Sequence, residues 1–374
     1  MRKILLMAAA VSVAFTSCVK NDQFSTNADS KEITFEVAKY KAQSTRAEVA
    51  FPTDIPFGTY AYYQTHENPG MHSMFIDNAE IIYKTTAGNG YWAANGELYY
   101  WPTKGHLDFI SYAPFNEDAT SAAVPKINDD DAQQTLKYIG FKVDAAAPVD
   151  LLYSDKAMQQ TTNTVHYGYT GVPTLFHHAL AKLNIKVKAF RMNNADESPD
   201  AVTSWSVKVK SIYLINIYDE GNLTLKTTNV HDAGATTVQW TNDRPIDGHN
   251  VWSNSSSMIS KEWVCDQVLT TSATTYGQGT SDVATNYFVL PQDLVDGVQQ
   301  IKIVYEITTN APGGQSATTE YTAVRDLTLA STAVQAWECG KNITYTIDID
   351  PAGDEIHFAP AIVDWENVDG VVSI

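Results

Sequence analysis

Glu32-Ile33-Thr34-Phe35-Glu36-Val37 is the stretch that decides the fold class. Ile33, Phe35 and Val37 alternate with Glu32, Thr34 and Glu36, and successive side chains of an extended strand point to opposite faces. The hexapeptide therefore reads as a strand with one apolar face and one polar face. The same period of two returns at Leu183, Ile185 and Val187, across Trp205-Ser206-Val207-Lys208-Val209, and in the rows Ile301-Ile303-Tyr305-Ile307 and Ile343-Tyr345-Ile347-Ile349. Short aromatic runs join them, among them Ile81-Ile82-Tyr83, Leu98-Tyr99-Tyr100-Trp101-Pro102 and Leu107-Asp108-Phe109-Ile110-Ser111-Tyr112-Ala113. Helical periodicity is scarce, and Phe176-His177-His178-Ala179-Leu180-Ala181-Lys182-Leu183 reads equally as a helical turn or a strand entry. Short strands broken by turn residues predict an all-β chain built as two tandem β-sandwiches. Polar stretches at 116–135 and 154–171 read as surface loops. A change of domain is expected near residue 190, ahead of the polar run Asn193-Asn194-Ala195-Asp196.

Working outward, the strand is bracketed by two processing signals. Upstream, Arg2 and Lys3 precede about a dozen mostly apolar residues, Ile4 to Phe15, a run too short to span a bilayer. It ends at Phe15-Thr16-Ser17-Cys18, the pattern of a bacterial secretory signal whose removal leaves Cys18 to be acylated. An ordinary signal with an incidental cysteine is the plainer alternative. Residues 1–17 are thus read as a lipoprotein signal peptide, and the polar segment after Cys18 as a tether. Downstream comes Ala42-Gln43-Ser44-Thr45-Arg46-Ala47-Glu48, which has no core-forming residue and belongs to the class of exposed tips where proteolysis concentrates. Only five arginines occur in the chain, so Arg46 stands out there. Residues 18–46 are read as tether plus removable strand, 47–190 as the N-terminal sandwich and 191–374 as the C-terminal one.

The chain's 374 residues suffice for two domains, and 44% apolar composition excludes a disordered chain. The net charge of −18 disfavours nucleic acid or anionic lipid as a partner surface. Cys265 and Cys339 remain once Cys18 is assigned to lipid, and spacing does not say whether they meet.

Catalytic motifs are missing: there is no HExxH, GxSxG, P-loop or paired CxxC. His177-His178 is the most tempting metal pair, but neighbours on a strand face opposite ways. Asp129-Asp130-Asp131 lacks the following ligand spacing of an EF-hand loop. The reading is of a protein without enzymatic activity, cofactor or metal. Eight Trp and 20 Tyr leave a glycan-binding surface open, although such residues also serve as core and cross-strand pairs.

Taken in order, several segments resemble the fimbrillin-like lipoproteins of Bacteroidota, the subunits of type V pili. They are the Cys18 leader, Arg46 after a first strand, the run from Tyr99-Tyr100-Trp101-Pro102 into Leu107–Pro114, Asp150-Leu151-Leu152-Tyr153 and Phe176–Leu183. Phe288-Val289-Leu290-Pro291-Gln292, Trp337-Glu338-Cys339-Gly340-Lys341-Asn342-Ile343-Thr344-Tyr345 and Val363-Asp364-Trp365 complete the set. The resemblance implies transthyretin-like sandwiches and an outer-membrane lipoprotein precursor anchored through Cys18. It implies an arginine-specific protease cutting between Arg46 and Ala47, so that the Ile33, Phe35, Val37 strand leaves with the anchor. The vacated groove would then take a strand from another fimbrial subunit. Ile356, Phe358, Ile362, Val363 and Trp365 form the candidate donor, with Pro360 interrupting the row. A cell-surface fimbrium binding a host or bacterial surface ligand is the implied product. The alternatives are a non-polymerising tip or anchor subunit and a surface-anchored glycan-binding lipoprotein.

Overall fold

The computed structural model describes residues 31–39, 49–65, 73–86, 88–117, 126–127, 136–143, 148–162, 171–189, 204–227, 236–242, 249–253, 263–268, 281–310, 314–328, 334–349 and 356–364. Cys18, Arg46, Ala47, the Asp129–Asp131 run and Trp365 lie outside them.

The described residues form strands and connecting turns, and the chain is all-β. In order the strands are β1 (Thr34–Lys39), β2 (Val49–Ala50), β3 (Phe57–Gln64), β4 (Ser73–Thr86), β5 (Asn89–Ala94), β6 (His106–Ala113), β7 (Lys126–Ile127) and β8 (Leu136–Lys142). There follow β9 (Leu152–Ser154), β10 (Ala157–Gln160), β11 (Val172–His178), β12 (Ala181–Ala189), β13 (Ser204–Ile215), β14 (Glu220–Thr227), β15 (Thr236–Asn242) and β16 (His249–Ser253). The last are β17 (Trp263–Val268), β18 (Ser281–Val289), β19 (Gln292–Asp293), β20 (Gln300–Asn310), β21 (Ser316–Asp326), β22 (Ala336–Trp337), β23 (Lys341–Ile349) and β24 (Ile356–Asp364).

The N-terminal strands make one sheet that closes on itself. Its order runs β6-β3-β4-β5-β1-β11-β9, and β9 pairs back onto β6 through Tyr112↔Tyr153 and Ala113↔Leu152. A closed ring has no free edge, which removes the template for unwanted strand pairing. Its interior holds Phe35, Phe51, Phe57, Trp92, Phe109 and Phe176.

A second core lies outside the ring. Tyr60, Tyr62, Ile110 and Tyr112 on β3 and β6 pack with Phe141, Leu223 and Leu225 of the sheet β15-β14-β8-β7. This explains why all eight residues of β6 are buried and why β3 lacks alternation. Strands covered on both faces lose the period-two signal. A third core joins β12 and β23 of the sheet β18-β12-β23-β24 to β13 and β20 of the sheet β16-β13-β20-β21.

One segment differs from the expectation at local level, and one ambiguous run is resolved. Residues 154–171, read as a loop, contain β10, which pairs with β6. Its polar groups are satisfied rather than solvated: Asp108 accepts from the Gln159 amide at 2.7 Å and from Gln64 Nε2 at 2.8 Å, with Lys156 Nζ 3.9 Å away. The ambiguous run at 176–183 is strand, bend, strand. β11 ends at His178, Ala179-Leu180 bends, and β12 begins at Ala181. Thus β12, on the near side of residue 190, pairs with β18 and β23. Cys339 is a free thiol, and burial pushes it up to about 12.

Candidate functional site

The slot filled by β1 unites the residues that the sequence singles out most strongly. On one side β1 runs parallel to β11, in the register Phe35↔Val172 to Lys39↔Phe176. On the other it is antiparallel first to β5, through Thr34↔Ala93 and Phe35↔Trp92, and then to β2, through Ala38↔Ala50 and Lys39↔Val49. Just upstream, the Ile33 amide donates to the Tyr99 carbonyl at 2.8 Å and the Trp101 amide donates to the Lys31 carbonyl at 3.1 Å. The run Leu98–Pro102 is therefore not a regular strand; it extends the slot past the N-terminal end of β1.

The apolar face of β1 enters the ring interior. Ile33 is 2% exposed and Phe35 5%, while Val37 is half-buried against the same core. Phe35 stands edge-on to Phe57, with centroids 5.6 Å apart at 86°, and to Phe109, at 5.8 Å and 90°, the preferred geometry for aromatic pairs. The polar residues Glu32, Thr34 and Glu36 stay part-exposed.

Backbone proximity adds a further requirement. A Cβ on Gly171 would lie 2.6 Å from the Thr34 carbonyl oxygen and 2.9 Å from the Phe35 carbonyl carbon. Only glycine lets the entry to β11 approach β1 this closely. Gly171 is a functional candidate that the sequence reading missed; a glycine beside a polar loop carries no signal until its neighbour is known.

Tyr99, which borders the slot, has its phenol pushed up to about 12 by burial and then by the Glu97 carboxylate beside it. The two histidines go separate ways, each to its own carboxylate. His177 Nε2 lies 3.0 Å from Asp155 Oδ2, and His178 Nδ1 lies 2.9 Å from Asp150 Oδ1. Among the described residues no group of three or more His, Cys, Asp or Glu is placed to hold a metal ion. Many aromatics serve the cores, Trp92, Trp101 and Trp337 among them, while Tyr83, Tyr100 and Tyr321 are exposed.

The candidate donor residues fall in a different sheet. Ile356, Phe358, Ile362 and Val363 lie on β24, which among the described residues pairs with β23 alone, at the edge of its sheet. Pro360 stands opposite Tyr345, and an edge strand is where a residue without an N–H is tolerated. Ile362 is 38% exposed.

β1 is thus a strand of the ring wall, paired along both edges. The fimbrillin-like family model matches residues 45–365, and the chain belongs to that family. The match begins beside Arg46 and leaves β1 outside it. A fimbrial protein from Bacteroides vulgatus shares the fold, with a TM-score of 0.51 at 15% identity over 89% of this chain and 99% of that one. A candidate cell adhesion protein from Bacteroides uniformis gives 0.42 at 19% identity, covering 89% and 98%. The C-terminally truncated tip fimbrial protein Mfa3 of Porphyromonas gingivalis gives 0.36 at 11% identity, covering 90% and 100%. No curated protein matches the chain.

Proposed function

We propose that this chain is a fimbrial subunit kept from assembling by its own first strand and released by a cut after Arg46. The observation that carries the reading is the setting of β1. It is paired along both edges and buried at Ile33 and Phe35, yet Arg46 lies on the sole covalent path from β1 to β2 and everything beyond. An arginine-specific protease acting there leaves β1 held by non-covalent contacts alone.

The magnitudes fit a strand that is both needed and replaceable. Burying Ile33 and Phe35 contributes ~1.5–3 kcal/mol each, roughly 3–6 together. A whole domain is stable by only ~5–15 kcal/mol. A ring without β1 has two open edges and an exposed aromatic core, so it must bind another strand. Acylation of Cys18 carries the precursor to the outer membrane; after the cut, β1 departs with the lipid and another fimbrial subunit supplies the replacement. The segment holding Ile356, Phe358, Ile362, Val363 and Trp365 is the donor in this reading. The assembled subunit serves adhesion to a host or bacterial surface.

N-terminal sequencing of fimbriae sheared from cells tests this. Ala47 is the expected first residue, and Arg46→Ala should leave an acylated, unpolymerised chain at the surface. Assembled fimbriae that retain β1 overturn the reading.

A further inference from the structure

The outer edge of β21 is long, regular and uncovered. This 11-residue strand pairs, among the described residues, with β20 alone. Residues Ser316–Thr322 are exposed without a break, on both faces of the strand. The register with β20 runs from Ser316 to Asp326 without a bulge. β21 has no Pro, Gly or Lys and carries Thr318, Thr319, Tyr321, Thr322 and Val324, residue types that favour extended backbone. Natural sheets blunt their edges with proline, lysine, bulges or closure. The ring is closed and the edge strand β24 carries Pro360; β21 has none of these devices. An edge of this kind adds a further strand readily.

We propose that β21 pairs with β21 of a second copy of this chain, joining two C-terminal sheets into one. A strand that pairs with its own copy through two-fold symmetry is antiparallel, and full overlap of Ser316–Asp326 centres the pair on Tyr321. Tyr321 then faces Tyr321 of the second copy. Within one chain Tyr321 already stacks on Tyr305, with ring centroids 5.5 Å apart at 18°, so the joint is crossed by a row of four tyrosines. Glu320 falls opposite Thr322, Arg325 opposite Ala317 and Asp326 opposite Ser316, so no like charges oppose directly. Glu320 is also neutralised by Lys210, whose Nζ lies 2.7 Å from it and 2.9 Å from Glu306. The strand is complementary to itself, and that selects a second copy as the occupant. Full overlap supplies roughly ten ladder hydrogen bonds, about the number in an ordinary protein interface. The sheet involved does not contain β1, so this pairing is independent of the slot.

Sedimentation of the unacylated, uncleaved chain (Cys18→Ala with Arg46→Ala) tests this with β1 still in place. Dimers should form at a protein concentration on the order of 100 µM, the range of a weak interface. They should grow with added salt, which screens the net charge of −18 that opposes approach. Tyr321→Lys and Tyr321→Glu should each weaken the dimer at least about tenfold, since each sets like charges face to face. An equal mixture of the two variants should recover the dimer, and a folding defect would not be repaired by mixing. A chain that stays monomeric at that concentration overturns the inference. So do single variants that dimerise like the parent, or a mixture that stays monomeric. None of these outcomes touches the release of β1.

Discussion

β1 and β24 stand in opposite mechanical settings. β1 is hydrogen-bonded along both edges inside a closed ring and places Phe35 among Phe57 and Phe109. β24 is paired along one edge and leaves Ile362 exposed. The contrast teaches that what a strand contributes depends on how many ladders hold it and what closes behind it. Withdrawing a ring strand creates two edges and uncovers a core; withdrawing an edge strand merely moves the edge inward.

The largest expected effect comes from emptying the aromatic pocket. Phe35→Ala in the uncleaved chain should cost about 3–5 kcal/mol, read as a lower denaturant midpoint. An unchanged midpoint would mean that β1 adds nothing to the ring.

Alkaline pH should weaken the ring next. Burial pushes the Tyr112 phenol from its usual 10.0 up to about 12, against the lowering effect of its hydrogen bonds with Asn116, whose backbone N–H donates to the phenol oxygen, and with Asn78. The folded state thus holds this proton more tightly than the unfolded chain does. Its contribution is complete below pH 10 and is lost as pH rises from there to about 12, roughly 2–3 kcal/mol in all. Tyr112→Phe should flatten that part of the pH–stability curve, and an unaltered slope would assign the loss to other groups.

A smaller effect should follow from crowding the slot. Gly171→Ala places a Cβ 2.6 Å from the Thr34 carbonyl oxygen and should cost about 1–3 kcal/mol through the forced backbone shift. After cleavage at Arg46 the strand should leave this variant faster than wild type, measured by loss of a label on β1. Equal rates would show that β11 yields instead.

The smallest effect belongs to the edge. Ile362→Ser on β24 should change stability by no more than about 0.5 kcal/mol, because the side chain is already part-solvated. A loss comparable to that of Phe35→Ala would erase the contrast between the two strands.

Legibility in the sequence followed local physics. β1, β12, β20 and β23 each bury one face strongly enough to print alternation, and all four were readable. β3 and β6 are covered on both sides, so β3 shows no period at all. β10 was hidden because its polar residues look like a loop until Asp108, 51 residues away in the chain, is seen to receive the Gln159 amide. At the site, Ile33, Phe35 and Val37 announced themselves by alternation. Gly171 did not, since its role is defined by the Thr34 backbone across the sheet.

By itself the sequence determined the strand-rich class and the strand at 33–37, because alternation depends on residues within a few positions of one another. Only the tertiary structure decided that β1 lies parallel to β11 within a closed ring, that β12 belongs to the sheet of β18 and β23, and that β24 stands at an edge. Pairing of distant strands is selected by how buried faces from remote segments fit together. Alternation within a strand fixes which face is apolar, but carries no label for the neighbour that will cover it.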